Sequence, residues 1–140
     1  MSRTNSRVST SVPTLRVGID VTSVADVRSS IEVFGDRYLD RLFTADELHD
    51  CRARTQEPQL DRLAARFAAK EAVMKVLRPV DDAPLWSEIE VRTTQGGWPE
   101  IELSGVAARM ATDERLAGIS VSLSHEHDVA TAVVTAFQGV

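Results

Sequence analysis

Pro58 and Pro79 bracket a stretch, about residues 59–77, that contains no Gly or Pro. Proline is tolerated at a helix start and blocks its continuation, so this stretch is expected to be the dominant helix of the chain. At roughly 100° per residue, Leu60, Leu63, Phe67, Met74 and Leu77 fall on one stripe. Lys70 and Glu71 lie within about 60° of the centre of that stripe. A charge facing a core is costly unless it is paired or holds a metal. Lys75 sits one turn beyond Glu71, so an ammonium and a carboxylate can act on one ligand. The plain alternative is a salt bridge at a helix border.

Lysine usage sharpens the point. The chain has fourteen arginines and only two lysines, Lys70 and Lys75, both in this helix. Lysine is a compact point charge whose pKa shifts readily, and arginine is neither.

The rest of the chain supplies alternating elements. Residues 1–14, rich in Ser, Thr and Arg, read as a flexible tail, leaving 15–140 as a single domain. Leu15–Ile19 reads as a buried strand ending at Asp20. A helix is expected over Ala25–Phe34, stopped near Gly35. Thr44 and Glu47 form a capping box. Strands at Ile89–Thr93 and Glu100–Leu103 flank a Gly96-Gly97 turn, and a helix is expected over Ser104–Leu116. Strands at Ile119–Leu123 and Ala130–Ala136 flank Ser124-His125-Glu126-His127-Asp128. This order implies an α+β fold with helices packed on a mostly antiparallel sheet.

Asp20 taken alone is a turn aspartate. With Glu71 it makes a pair able to hold Mg²⁺, which takes one or two carboxylates and completes its shell with water and substrate phosphates. His125 and His127 are a weak zinc signal and serve equally as a hairpin turn. Arg28, Arg37 and Arg41 form either a basic docking patch or part of a solvated mixed-charge face.

Composition excludes several classes. With 43% hydrophobic and 26% charged residues the 140-residue chain is globular, and a net charge of −5 points away from nucleic acid. No apolar run approaches the roughly 20 residues of a membrane span. No secretory leader is evident, and Cys51 has no partner for an internal disulfide, so a cytoplasmic protein is expected.

Gly18-Ile19-Asp20, Phe43-Thr44-x-x-Glu47-Leu48, Arg66-Phe67-Ala68-Ala69-Lys70-Glu71-Ala72-x-x-Lys75, Gly97-Trp98-Pro99 and Val121-Ser122-Leu123-Ser124-His125 occur in one order. In that order they resemble the holo-acyl-carrier-protein synthases, the small 4'-phosphopantetheinyl transferases. The resemblance implies an enzyme that moves phosphopantetheine from coenzyme A to a serine of an apo acyl carrier protein of fatty-acid or polyketide type. The other product is 3',5'-ADP. A coenzyme-A- or carrier-binding module without turnover is the alternative.

The resemblance also assigns residues. Asp20 and Glu71 match magnesium ligands, and Glu71, directly or through a metal-bound water, helps deprotonate the serine. Lys75 neutralises the diphosphate and leaving group. Arg66, Phe67, Gly97, Pro99, Ser124 and His125 match positions lining the coenzyme A pocket. Small family members are homotrimers with sites between neighbouring subunits. Three positions depart from the pattern: Arg78–Pro84 replaces a Gly-x-Gly loop, Asp26 stands where an Arg is common, and Ser23 stands where an acid is common.

Overall fold

The computed structural model describes residues 12–139. Most of the stretch read as a tail, residues 1–11, therefore lies outside the described residues, and strand β1 already begins at Thr14.

The elements run β1 (Thr14–Ser23), α1 (Val24–Phe34), α2 (Asp36–Leu42), α3 (Ala45–Asp50), α4 (Leu60–Leu77), β2 (Ile89–Thr93), β3 (Pro99–Leu103), α5 (Gly105–Asp113), β4 (Leu116–Glu126) and β5 (Val129–Gln138). Three strands form an antiparallel sheet in the order β1-β5-β4, and β2 and β3 form a separate antiparallel hairpin. This is the α+β arrangement expected from the sequence. Gly18 faces Val134 and Asp20 faces Ala132 across β1 and β5, while Val121 and Leu123 pair with Val134 and Ala132 on β4.

β1 is longer than expected. Val21, Thr22 and Ser23 continue the ladder, so Asp20 lies within the strand instead of ending it. Positions 16, 18, 20 and 22 (Arg16, Gly18, Asp20 and Thr22) all face α4. At Gly18 that approach is extreme, because a Cβ there would collide with the Ala72 carbonyl and press on Val76. Buried Arg16 fastens the same crossing: it donates to the Val76 carbonyl at 2.9 Å, satisfying a late carbonyl of α4, and pairs with Glu114 at 2.7 Å.

The stripe expected on α4 is not the buried face. Leu63 and Leu77 are buried, but Leu60, Phe67 and Met74 are only half-buried. Instead Ala64, Ala65, Ala68, Ala69, Ala72, Val73 and Val76 are buried, covering most of the circumference. The helix crosses β1 and β5 on one side and meets β2, α1 and α5 on others. Small side chains permit those close approaches, and large ones mark the gaps between them.

The buried charge on α4 is Lys70. Its Nζ lies 2.6 Å from Glu47 Oε1, both side chains are fully buried, and it also donates to the carbonyls of Trp86 and Ile89. Glu47 accepts from the amides of Thr44 and Val91. The capping-box glutamate of α3 thus ties α3, α4 and β2 together.

The short α2 was not anticipated. It carries Arg37 and Arg41 one turn apart and buries Leu39 and Leu42. The last hairpin is tighter than expected: β4 reaches Glu126, so Ser124 and His125 lie on the strand, and only His127 and Asp128 form the turn.

Candidate functional site

The crossing of β1 over α4 brings three expected residues together. Lys75 Nζ donates to Asp20 Oδ1 at 3.2 Å and to the Ile19 carbonyl at 2.7 Å. The Glu71 carboxyl lies within hydrogen-bonding reach of Asp20, and its pKa is raised from the usual carboxylate range to about 7. Partial burial is the main cause; the facing Asp20 adds to it and Lys75 opposes it. When both carboxyls are ionised neither has a proton to offer the other. Asp20 Oδ2 is buried without a hydrogen-bond partner.

Two facing carboxylates, one with an orphaned buried oxygen, suit a divalent cation. Among the described residues no three His, Cys, Asp or Glu side chains are placed to hold one metal ion together, which disfavours a dedicated all-protein cage. Two carboxylates are the usual protein contribution to a Mg²⁺ that also binds substrate phosphate.

Glu71 opens into a cavity of about 290 Å³ lined by Thr22, Ser23, Asp26, Ser30, Tyr38 and Phe67, among others. Phe67 therefore sits on the Glu71 side, its ring 5.3 Å from that of Trp86. The residue before it, Arg66, faces elsewhere, because adjacent positions on a helix point about 100° apart. Arg66 lies with Arg62, Thr93, Gly97, Trp98 and Pro99 around a second cavity of about 420 Å³ against β4. One Arg66 amine donates to Thr93 Oγ1 at 3.0 Å, while the buried Nε has no partner. A buried guanidinium with an unused donor suits an anion, phosphate above all.

Ser124 and His125 line a third recess of about 330 Å³ at the end of β4, with His125 Nε2 3.8 Å from Asp61. The expected site residues thus fall into separate groups. Asp20, Glu71 and Lys75 stand at the β1 edge; Arg66, Gly97 and Pro99 stand near β4, the opposite edge. Ser23 does not leave a vacant position: its hydroxyl caps α1 and donates to Asp128 at 3.2 Å.

Two features were not read from the sequence. Tyr38 lines the Glu71 cavity and also a neighbouring one of about 530 Å³, lined further by Phe34, Arg37, Arg41, Leu42 and Trp86. Burial raises the Tyr38 pKa, a hydrogen bond with Ser30 opposes this, and Glu71 and Asp26 add to the rise. The spacing of Arg37 and Arg41 was the available signal; Arg28 lies outside that lining. The second feature is an open apolar stripe on the sheet face away from α4. Leu15, Val17, Ile19 and Val21 are each more than half exposed, and Phe137 continues the stripe on β5.

Comparison with known proteins gives a consistent family. The model of the 4'-phosphopantetheinyl transferase superfamily matches residues 16–134. The holo-[acyl-carrier-protein] synthase of Desulforudis audaxviator is 43% identical over 122 residues, covering 87% of this chain and 92% of the relative. That of Chloroflexus aurantiacus is 38% identical over 133 residues, covering 87% and 97%. Among solved structures, the Helicobacter pylori holo-[acyl-carrier-protein] synthase in complex with coenzyme A superposes with a TM-score of 0.74 at 25% identity, covering 86% of this chain and 99% of that one. The Mycobacterium tuberculosis acyl carrier protein synthase superposes with a TM-score of 0.67 at 32% identity, covering 89% and 96%.

Proposed function

Because this chain belongs to the 4'-phosphopantetheinyl transferase superfamily, we propose that it transfers 4'-phosphopantetheine from coenzyme A to a serine of an apo acyl carrier protein, releasing 3',5'-ADP. The observation that carries the reading is the Asp20–Glu71–Lys75 cluster, two facing carboxylates and an ammonium beside an open cleft.

In this reading Glu71 takes the proton of the carrier serine. Its pKa of about 7 belongs to the metal-free protein; a cation beside it would favour the ionised form, which is the form able to accept that proton. The serine oxygen attacks the β-phosphorus of coenzyme A, and the bond to the 3',5'-ADP oxygen breaks. Lys75 offsets charge on the departing diphosphate oxygen and keeps Asp20 oriented. Asp20 and Glu71 would hold Mg²⁺, which when bound supplies positive charge to the donor's phosphates. Arg66, with its unused Nε, binds a nucleotide phosphate, and Gly97 and Pro99 shape that wall. Ser124 and His125, in the separate recess at the end of β4, are positions that the family resemblance assigns to coenzyme A.

The two edges of one chain are separated by the width of the sheet, two strand spacings or about 10 Å. A single copy therefore offers a carboxylate half at β1 and a nucleotide half at β4. Head-to-tail contact of these edges would join the two halves, and a closed ring of three copies is what the family resemblance implies. The exposed stripe of Leu15, Val17, Ile19 and Val21 supports this, since such a face is ordinarily covered. The cavity with Arg37 and Arg41 offers a basic, partly aromatic seat for an acidic carrier of fatty-acid or polyketide type. Among the described residues no helix is long and apolar enough to cross a membrane, and the cytoplasm is the proposed compartment.

Intact-mass measurement of an apo acyl carrier protein, incubated with this protein, coenzyme A and Mg²⁺, tests the reading. A gain of one phosphopantetheine, abolished by chelator, is expected. Coenzyme A binding without any mass shift across several carriers would instead identify a non-catalytic binding module.

A further inference from the structure

Trp98 is 75% exposed, unusual for so large an apolar side chain, yet its backbone is held firmly. It lies in the β2–β3 turn, where Thr94 accepts from the Trp98 amide through its side chain at 3.1 Å and donates its own amide to the Trp98 carbonyl at 2.8 Å. The indole leans on Gly96: a Cβ there would come within 3.3 Å of Trp98 Cδ1 and 3.4 Å of Nε1. Gly96 thus gives the indole room to lie against the turn. The side chain borders the cavity that also holds Arg62 and Arg66. An exposed aromatic plane on a rigid support, beside a guanidinium with an unused buried donor, is the arrangement that recognises a nucleobase joined to a phosphate.

We propose that Trp98 is a specificity-determining residue for the donor, stacking on its nucleobase while Arg66 holds a phosphate. The inference rests on the coenzyme A reading above and adds that donor affinity depends on the base as well as the phosphates. The phosphates are recognised by charge, so loss of the indole removes only the contribution of the base.

The test is titration of the full-length protein with 3',5'-ADP, following tryptophan fluorescence and calorimetry, in wild type, Trp98→Ala and Trp98→Phe. Wild type binds with a fluorescence change that vanishes in both variants, because Trp86 is packed on Phe67 and remains as a constant background. Trp98→Ala weakens binding about ten-fold and Trp98→Phe much less, the loss expected for one base–aromatic stack. The KM for coenzyme A rises in parallel while kcat holds. An abasic ribose bisphosphate binds wild type and Trp98→Ala equally. Binding of 3',5'-ADP to Trp98→Ala within about two-fold of wild type would overturn the stacking role and leave the donor reading standing. Absence of 3',5'-ADP binding in wild type would remove the donor reading and this inference with it.

Discussion

Lys70→Met tests how α4 is held. The substitution removes a fully buried ammonium that pairs with Glu47 at 2.6 Å and donates to two backbone carbonyls. It leaves a carboxylate at zero exposure with only the Thr44 and Val91 amides for company. Burial pushes the Lys70 pKa down, and Glu47, with a smaller contribution from Glu90, pushes it back up. Breaking a buried pair from one side costs about 3–5 kcal/mol. For a chain of this length that is a fall in Tm of about 10–15 °C. Glu47→Gln with Lys70→Met removes both charges while keeping one acceptor for the two amides. The double variant should recover about 1–3 kcal/mol of the loss, a coupling typical of contacting residues. Urea and thermal melts of the three variants measure this, and the deficit should persist in salt because a buried pair is little screened. A cost below about 1 kcal/mol for Lys70→Met, or strictly additive costs, would refute the reasoning.

Glu71→Gln should lower transfer by about 10²–10⁴-fold, as loss of a general base does, with no loss of Tm. The Glu71 pKa is raised from 4.5 to about 7, so the folded apo-protein holds the proton that the unfolded chain releases. Stability from this group is therefore present below about 4.5 and is lost as pH rises towards about 7, a decline absent from Glu71→Gln melts. Mg²⁺ binding must displace that proton, so calorimetry in buffers of different ionisation enthalpy should show proton release and tighter binding as pH rises through 7. Lys75→Arg should cut kcat despite unchanged charge, since a guanidinium fork cannot reproduce the ammonium seated on Asp20 and the Ile19 carbonyl; steady-state kinetics checks this. Val17→Glu, placed on the open sheet face, should convert the assembly to monomers by light scattering while far-ultraviolet circular dichroism is unchanged.

The sequence carried the main helix because prolines punctuate it, and both hairpins because their strands alternate around turn residues. It carried Asp20, Glu71 and Lys75 as a set, although Asp20 lies inside β1: Val21 and Thr22 are strand formers that continue the ladder past it. The buried face of α4 was misjudged because weight fell on Leu60, Phe67 and Met74. The close approaches are made by alanines, which a hydrophobic stripe undervalues. α2 was missed because seven residues with four charges and no side-chain cap give little periodic signal. The split between Phe67 and Arg66 follows from helix geometry, but which faces two different cavities is settled only by what packs around α4. The partner of Lys70 lies more than twenty positions away, so the capping box at Thr44 was visible and its second duty was not.

The central claim is that each catalytic centre joins the carboxylate half of one copy to the nucleotide half of the next. Co-expression of differently tagged Glu71→Gln and Arg66→Ala chains, followed by tandem purification and the carrier mass assay, tests it directly. In every mixed trimer that tandem purification retains, one interface of the three joins an intact Glu71 to an intact Arg66, so about a third of wild-type activity should be restored. Activity no greater than the sum of the two separate variants would contradict a shared site and place both halves at work within a single chain.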